Sequence, residues 1–267
     1  MMDATSLERL SALACGLAHE AGIAILTVYE REVDVLEKED RTPLTEADLL
    51  AHQHIETGLL EAGPFPVLSE ESSKKNIESR AEWETYWLVD PLDGTREFLK
   101  RNGEFTVNIA LIHRHEPVIG VVHAPVSGEI YFAHRGSGSF KCRWGEPAKA
   151  IRTQCPPSSP LRVLGSRSHA SAAFSDYLPR LGTCELTSVG SSLKFLRVAE
   201  GLADLYPRLG PTSEWDTAAA QCVLVEAGGA VVDLQGAPLR YNTRETLLNP
   251  FFLAYGDPAV SWPLDPV

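Results

Sequence analysis

The chain has 267 residues, 44% of them hydrophobic and 22% charged, with a formal net charge of −12. It is long enough to bury a sizeable core in one or two domains, and its acidic balance argues against nucleic-acid polymers and anionic membranes as partners. Small phosphorylated ligands stay open, because a metal ion can supply positive charge locally. Five cysteines (Cys15, Cys142, Cys155, Cys184 and Cys222) are scattered without a CxxC or Cys/His cluster. That excludes a zinc ribbon or disulfide scaffold and points to free thiols in a reducing, cytoplasmic compartment. No uninterrupted run of about 18 apolar residues is present, so no transmembrane segment is expected.

In chain order, Ser6 to Tyr29 has helical apolar spacing, broken by His19 and Glu20 as in an amphipathic helix rather than a signal peptide. Thr45 to Leu60 predicts a second helix, with Thr45 at the N-cap and Asp48 completing a capping-box-like pair. "FPVLSEES" and "TYWLVD" read as buried strands that each end in acid. "FTVNIALIH", "PVIGVVHAP" and "GEIYFAH" predict an antiparallel meander, and "RGSGSF" is a turn that lacks the Lys-Ser/Thr of a P-loop. Beyond a Pro/Ser cluster at Pro156 to Pro160, "RVLGS", "CELTSV", "DLYPR", "AVVDL" and "FFLAYG" alternate with helical segments, as in an α/β layer. The pattern predicts two α/β subdomains, 1–155 and 156–267, with the site in the cleft between them.

Carboxylates stand where these elements end. Glu70 and Glu71 follow "FPVL", Asp90 ends "WLV", Asp93 sits in the turn after Pro91, and Asp216 opens the helical "WDTAAAQCVLVEAGG". Singly, each reads as turn or capping chemistry. Together they form the all-oxygen donor set that hard divalent cations such as Mg²⁺ take, with the Leu92 carbonyl as a further donor. Gly94 and Thr95 open the helical "TREFLK", whose free N–H groups suit a phosphate oxygen.

"LSEES", "DPLDGTREF" and "WDTAAA" resemble the three signature segments of the lithium-sensitive, Mg²⁺-dependent phosphatases of the inositol monophosphatase superfamily, and "KEDRTPLTEADLLAH" fits their N-terminal motif. "GSRSHA", "SVGSSLKFLRVAEGLADLYPR" and "YNTRETLLNP" are similar to the CysQ-type 3'(2'),5'-bisphosphate nucleotidase branch. The resemblance implies a layered α/β/α/β/α sandwich of the sugar-phosphatase type. It implies two or three Mg²⁺ ions held by Glu70, Asp90, Asp93, Asp216 and the Leu92 carbonyl. Glu70 would also touch the nucleophilic water, and Asp48 and Thr95 would activate it. The Gly94 and Thr95 backbone would meet the reacting phosphate, and Asp93 and Asp216 would also bind substrate. His169, Ser191, Ser192, Lys194 and Arg208 match nucleotide contacts.

The implied activity is removal of the 3'-phosphate of 3'-phosphoadenosine 5'-phosphate, or of its phosphosulfate analogue, in sulfur metabolism. The implied enzyme is a cytoplasmic monomer or homodimer, at most peripheral on the inner membrane. Inositol monophosphate or a sugar bisphosphate is the alternative substrate, and a non-catalytic phospholigand-binding protein is the more distant one.

Overall fold

The computed structural model describes residues 3–30, 35–37, 43–72, 74–167 and 171–264. Helix α1 (Ala4–Tyr29) starts where the Asp3 carboxylate accepts the Ser6 N–H at 2.7 Å, and it buries a stripe from Leu7 through Leu10, Ala14, Ala18, Ala21 and Ile25 to Val28. By length and apolar content this helix would suffice to cross a bilayer, a property that the search for an uninterrupted run overlooks. Its stripe packs into the protein core instead. The short ribbon β1 (Val35–Glu37) and β2 (Pro43–Thr45) leads into α2 (Glu46–Ala62). This second helix begins at Glu46, directly after the Thr45 that its sequence pattern places at the N-cap. The side chain of Thr45, to which the capping role was assigned, lies outside the described residues.

Next come β3 (Val67–Ser69), α3 (Lys74–Ser79), β4 (Thr85–Asp93), α4 (Thr95–Leu99), β5 (Thr106–His113), β6 (Glu116–Ala124), β7 (Glu129–His134), β8 (Ser139–Arg143) and β9 (Lys149–Ile151). The strands make a seven-stranded sheet in sequence order. Only the β3–β4 pairing is parallel; the rest is the expected meander, carried on to Ile151.

The remainder holds β10 (Leu161–Ser166), α5 (Ala172–Tyr177), β11 (Cys184–Val189), α6 (Leu193–Ala199), β12 (Leu205–Arg208), α7 (Ala218–Glu226), β13 (Ala230–Asp233) and β14 (Phe252–Tyr255). Its sheet is five-stranded, in the order β11-β10-β12-β14-β13.

Side-chain alternation sorts the layers. On β4, Trp87 and Val89 pack with α1 and α2, whereas Tyr86 and Leu88 face the opposite way, toward α6 and α7. On the smaller sheet, Tyr206, Phe252 and Ala254 face that same α6–α7 layer, and Leu205 and Leu253 pack with Tyr177 at the end of α5. The result is the α/β/α/β/α sandwich implied by the resemblance. Helix α7 lies in its middle layer, which explains why Ala218 to Leu224 is buried without a polar face.

Candidate active site

The stretch Asp90 to Asp93 remains part of β4 rather than forming the turn its Asp-Pro suggested. Asp90 pairs with Asn108 and Asp93 with Thr106, and the register shifts between the two pairs. In a regular strand, residues three apart point to opposite faces. The irregularity takes up one extra residue, so both carboxylates turn to one point. Asp216 meets them there: one oxygen from each of Asp90, Asp93 and Asp216 lies within 4.8 Å of the others.

Asp216 also departs from expectation. It ends a 3₁₀ turn, Glu214–Asp216, and Thr217 stands at the cap of α7. The Asp216 carboxylate accepts the Ser213 N–H at 2.9 Å, closing a capping box within that turn. The "YNTRETLLNP" segment holds the turn from behind. The Asn242 N–H donates to both Glu214 oxygens (3.1 and 2.9 Å), and Asn249 Nδ2 donates to the Ser213 carbonyl at 2.7 Å.

Gly94 follows the bulge with φ +92°, a conformation L side chains rarely adopt, and a Cβ there would lie 3.1 Å from the Glu104 carbonyl and 3.3 Å from Ser191 Cβ. The turn therefore needs glycine, and α4 starts directly after it. Thr95 Oγ1 donates to the Leu92 carbonyl at 3.4 Å. Glu70 is tied to the same strand end by its N–H, which donates to the Val89 carbonyl at 3.1 Å.

These groups surround a cleft of about 360 Å³. It is lined by Glu70, Asp90, Leu92, Asp93, Gly94, Thr95, Ser191, Ser192, Lys194, Arg208 and Asp216. Of the described residues singled out from sequence, Asp48 and Glu71 do not line this cleft. Asp48 is buried in the first turn of α2, near enough for its charge to push up the Asp90 carboxyl. His169 lies outside the described residues.

Burial, followed by repulsion from Glu70, Asp93, Asp216 and Asp48, raises the Asp90 carboxyl well above the usual carboxylate range. Asp216 is raised in the same way, by burial and then by Asp93 and Glu70. Burial also raises Asp93, opposed by Lys194 and by the Ser192 N–H, which donates to Asp93 Oδ2 at 2.6 Å. Lys194 is pulled down to about 8 by burial, against the pull of Asp93 and with Arg208 adding to the effect. A buried, mutually repelling, all-oxygen set of this kind fits hard divalent cations, which relieve the repulsion and take carboxylate and carbonyl donors.

Several shaping residues escaped the sequence reading. Thr106 and Asn108, polar positions two apart in the apolar run of β5, lie under the site. Thr106 Oγ1 and Asn108 Nδ2 approach Asp93 Oδ2 at 3.4 and 3.5 Å, and Ser192 Oγ contacts Thr106 Oγ1 and Asn108 Oδ1 at 2.7 Å each. Buried polar side chains inside an otherwise apolar strand were the available signal. The Lys194 ammonium, expected to face a ligand, donates to the Val189 and Ser191 carbonyls beneath its own loop. Arg208 donates to the Pro211 carbonyl.

The sequence profile of the inositol monophosphatase family matches residues 6–257, and the chain belongs to that family. It is 51% identical over 242 residues to the 3'(2'),5'-bisphosphate nucleotidase CysQ of Escherichia coli strain K12, a match covering 89% of this chain and 96% of the relative. It is 41% identical over 248 residues to the protein of the same name from Haemophilus influenzae, covering 92% of each. The crystal structure of CysQ from Bacteroides thetaiotaomicron has a similar fold, with a TM-score of 0.83 and 42% identity, covering 93% of this chain and 97% of that one.

Proposed function

We propose that this protein is a Mg²⁺-dependent phosphomonoesterase, a 3'(2'),5'-bisphosphate nucleotidase that converts 3'-phosphoadenosine 5'-phosphate to adenosine 5'-phosphate and inorganic phosphate. The observation that carries the chemistry is the convergence of Asp90, Asp93 and Asp216 oxygens within 4.8 Å at one end of a cleft whose walls also bear Lys194 and Arg208. The choice of substrate is supported by relatives that carry that name and match nearly the whole chain.

Glu70, Asp90, Asp93, Asp216 and the Leu92 carbonyl are assigned as the residues that would hold Mg²⁺. Bound there, the ions neutralise the phosphate charge and lower the pKa of a water. Asp48 and Thr95 take up the proton of the attacking water. Glu70 orients that water. The backbone N–H groups of Gly94 and Thr95 hold oxygens of the reacting phosphate as the bond from phosphorus to the 3'-oxygen breaks.

Lys194 and Arg208 read the second phosphate, Arg208 by its fork of donors and Lys194 as a point charge. Ser191, Ser192 and His169 contact the nucleotide. The halves 1–155 and 156–267 are read as subdomains that contribute the metal set and the nucleotide wall respectively, with Asp216 crossing between them. All five cysteines are free thiols, which suits a cytoplasmic enzyme acting on a small nucleotide as a monomer or homodimer.

The test is a comparison of kcat/KM on 3'-phosphoadenosine 5'-phosphate, its phosphosulfate analogue, inositol 1-phosphate and fructose 1,6-bisphosphate, with Mg²⁺ and with chelator. Two charge-assisted contacts to a second phosphate, at about 1.5–3 kcal/mol each, predict a preference for the nucleotide of at least roughly a hundredfold. Equal or better turnover of inositol 1-phosphate would move the protein to the alternative substrate class.

A further inference from the structure

Glu104 lies between α4 and β5, and its carboxylate is not part of the acid cluster. Its carboxylate accepts Arg167 Nε at 2.7 Å and Nη2 at 2.8 Å in a bidentate pair, and it also accepts the Gly190 N–H at 2.7 Å. The same Arg167 Nη2 donates to the Ser188 carbonyl at 2.7 Å. One carboxylate from the first half therefore ties together the residue after β10 and the loop after β11, both in the second half.

That loop packs closely against Glu104 at Gly190. A Cβ on Gly190 would sit 2.8 Å from the Glu104 carbonyl, 2.9 Å from Glu104 Cβ and 2.9 Å from Glu97 Cγ. Ser191, which lines the cleft, is held at φ +44°, a region that non-glycine residues occupy only when their surroundings over-determine it. Glu104 fixes one side of the loop through Gly190. Asp93 fixes the other through the Ser192 N–H, and Lys194 ties the loop's carbonyls from within.

We propose that the Glu104–Arg167 pair is a specificity-determining positioning clamp, which holds the 189–192 loop so that Ser191 and Lys194 face the part of the substrate remote from the reacting phosphate. The clamp rests on the bisphosphate nucleotidase reading. It touches neither the reacting atoms nor the acid cluster, so loosening it weakens binding of the bisphosphate while the chemical step continues. The pair is only partly shielded, with side-chain exposures of 23% for Glu104 and 42% for Arg167. An exposed ion pair alone is worth little; the third bond, to Gly190, is what couples this one to the loop.

The test uses Glu104→Gln, Arg167→Met and the double variant of the full chain. In Glu104→Gln and Arg167→Met, KM for 3'-phosphoadenosine 5'-phosphate rises about fivefold, as expected for loosening of a partly exposed ion pair that holds the loop, while kcat changes less than about twofold. The double variant is no worse than the worse single one, because both remove the same coupling. For adenosine 3'-phosphate, which lacks the second phosphate, kcat/KM moves less than about twofold. Arg167→Lys keeps the charge and loses the fork, and gives an intermediate rise. Amide hydrogen exchange at Gly190 speeds up in Glu104→Gln.

Equal effects on the two substrates, additive effects in the double variant, or unchanged exchange at Gly190 overturn the clamp. If the parent protein itself shows no preference for the bisphosphate, the functional reading fails instead, and the exchange measurement still decides whether Glu104 holds the loop.

Discussion

Replacing Asp90 by asparagine removes one charge from the acid cluster and little else. The amide keeps an oxygen where Asp90 Oδ1 accepts the Leu92 N–H at 3.1 Å, and the position is fully buried, so packing is conserved. Without metal, Asp90 faces carboxylate oxygens of Asp93 and Asp216 within 4.8 Å. At an effective dielectric of about 20, two unit charges at that distance repel by roughly 3.5 kcal/mol. Proton uptake caps the loss, as the raised Asp90 carboxyl indicates, and either the repulsion or the uptake costs folding free energy. We therefore expect Asp90→Asn to stabilise the metal-free protein by about 2 kcal/mol, or about 4–8 °C in Tm for a chain of this size.

With saturating Mg²⁺ the order reverses, because the variant has lost a ligand. Its Mg²⁺-dependent gain in Tm shrinks, and turnover falls by more than about a hundredfold. The assay is a thermal melt of both proteins in chelator and in Mg²⁺, beside phosphate release. A variant that melts below its parent in chelator, yet keeps the parent's full Mg²⁺-dependent gain, would refute the idea that this cluster is charge strain stored for cations.

Asp48→Asn keeps the shape of a helix-start acid and loses the charge; kcat falls about 10²–10⁴-fold with melting little changed, and a kcat within about threefold of the parent removes Asp48 from proton transfer. Lys194→Ala or Arg208→Ala raises KM for the bisphosphate by about 10–100-fold, the equivalent of one charge-assisted contact, with a much smaller change for inositol 1-phosphate; equal changes would show that neither side chain reads the second phosphate. His123, buried and held down to about 4 by that burial, gives an acid limb to stability. The unfolded chain takes up this proton below about 6.5 and the folded one only near 4, so stability falls as pH drops through that window, by about 2 kcal/mol between pH 6.5 and 5. Melts of His123→Gln at pH 7 and pH 5 should show a smaller loss than the parent, and an equal loss would mean that other groups set the limb.

The metal set was legible because its residues carry chemistry in short, local patterns: Glu70 after a strand, Asp90 and Asp93 around a proline, Asp216 before a helix. Their local geometry was not. Asp-Pro reads as a turn, yet β5 pairs with the strand on both sides of Pro91 and makes it a bulge. Asp216 reads as a cap for α7, but Ser213 three residues earlier takes its carboxylate into a separate turn. The layers were expected only by resemblance, since nothing in the apolar Ala218 to Leu224 says which two sheets it will lie between. Glu104 beside Gly103 looks like a solvated charge. Its partners Arg167 and Gly190 stand 63 and 86 residues away, and no periodicity reports a contact of that range.

The acid cluster and the Lys194 and Arg208 cations together are expected to remove one particular phosphate, that on the 3'-oxygen. Incubation of 3'-phosphoadenosine 5'-phosphate with the protein and Mg²⁺, with the products resolved by phosphorus NMR, tests it most directly. The expected products are adenosine 5'-phosphate and inorganic phosphate in equal amounts, with no adenosine 3'-phosphate, and no reaction in excess chelator. Accumulation of adenosine 3'-phosphate, or undiminished turnover in chelator, would contradict it.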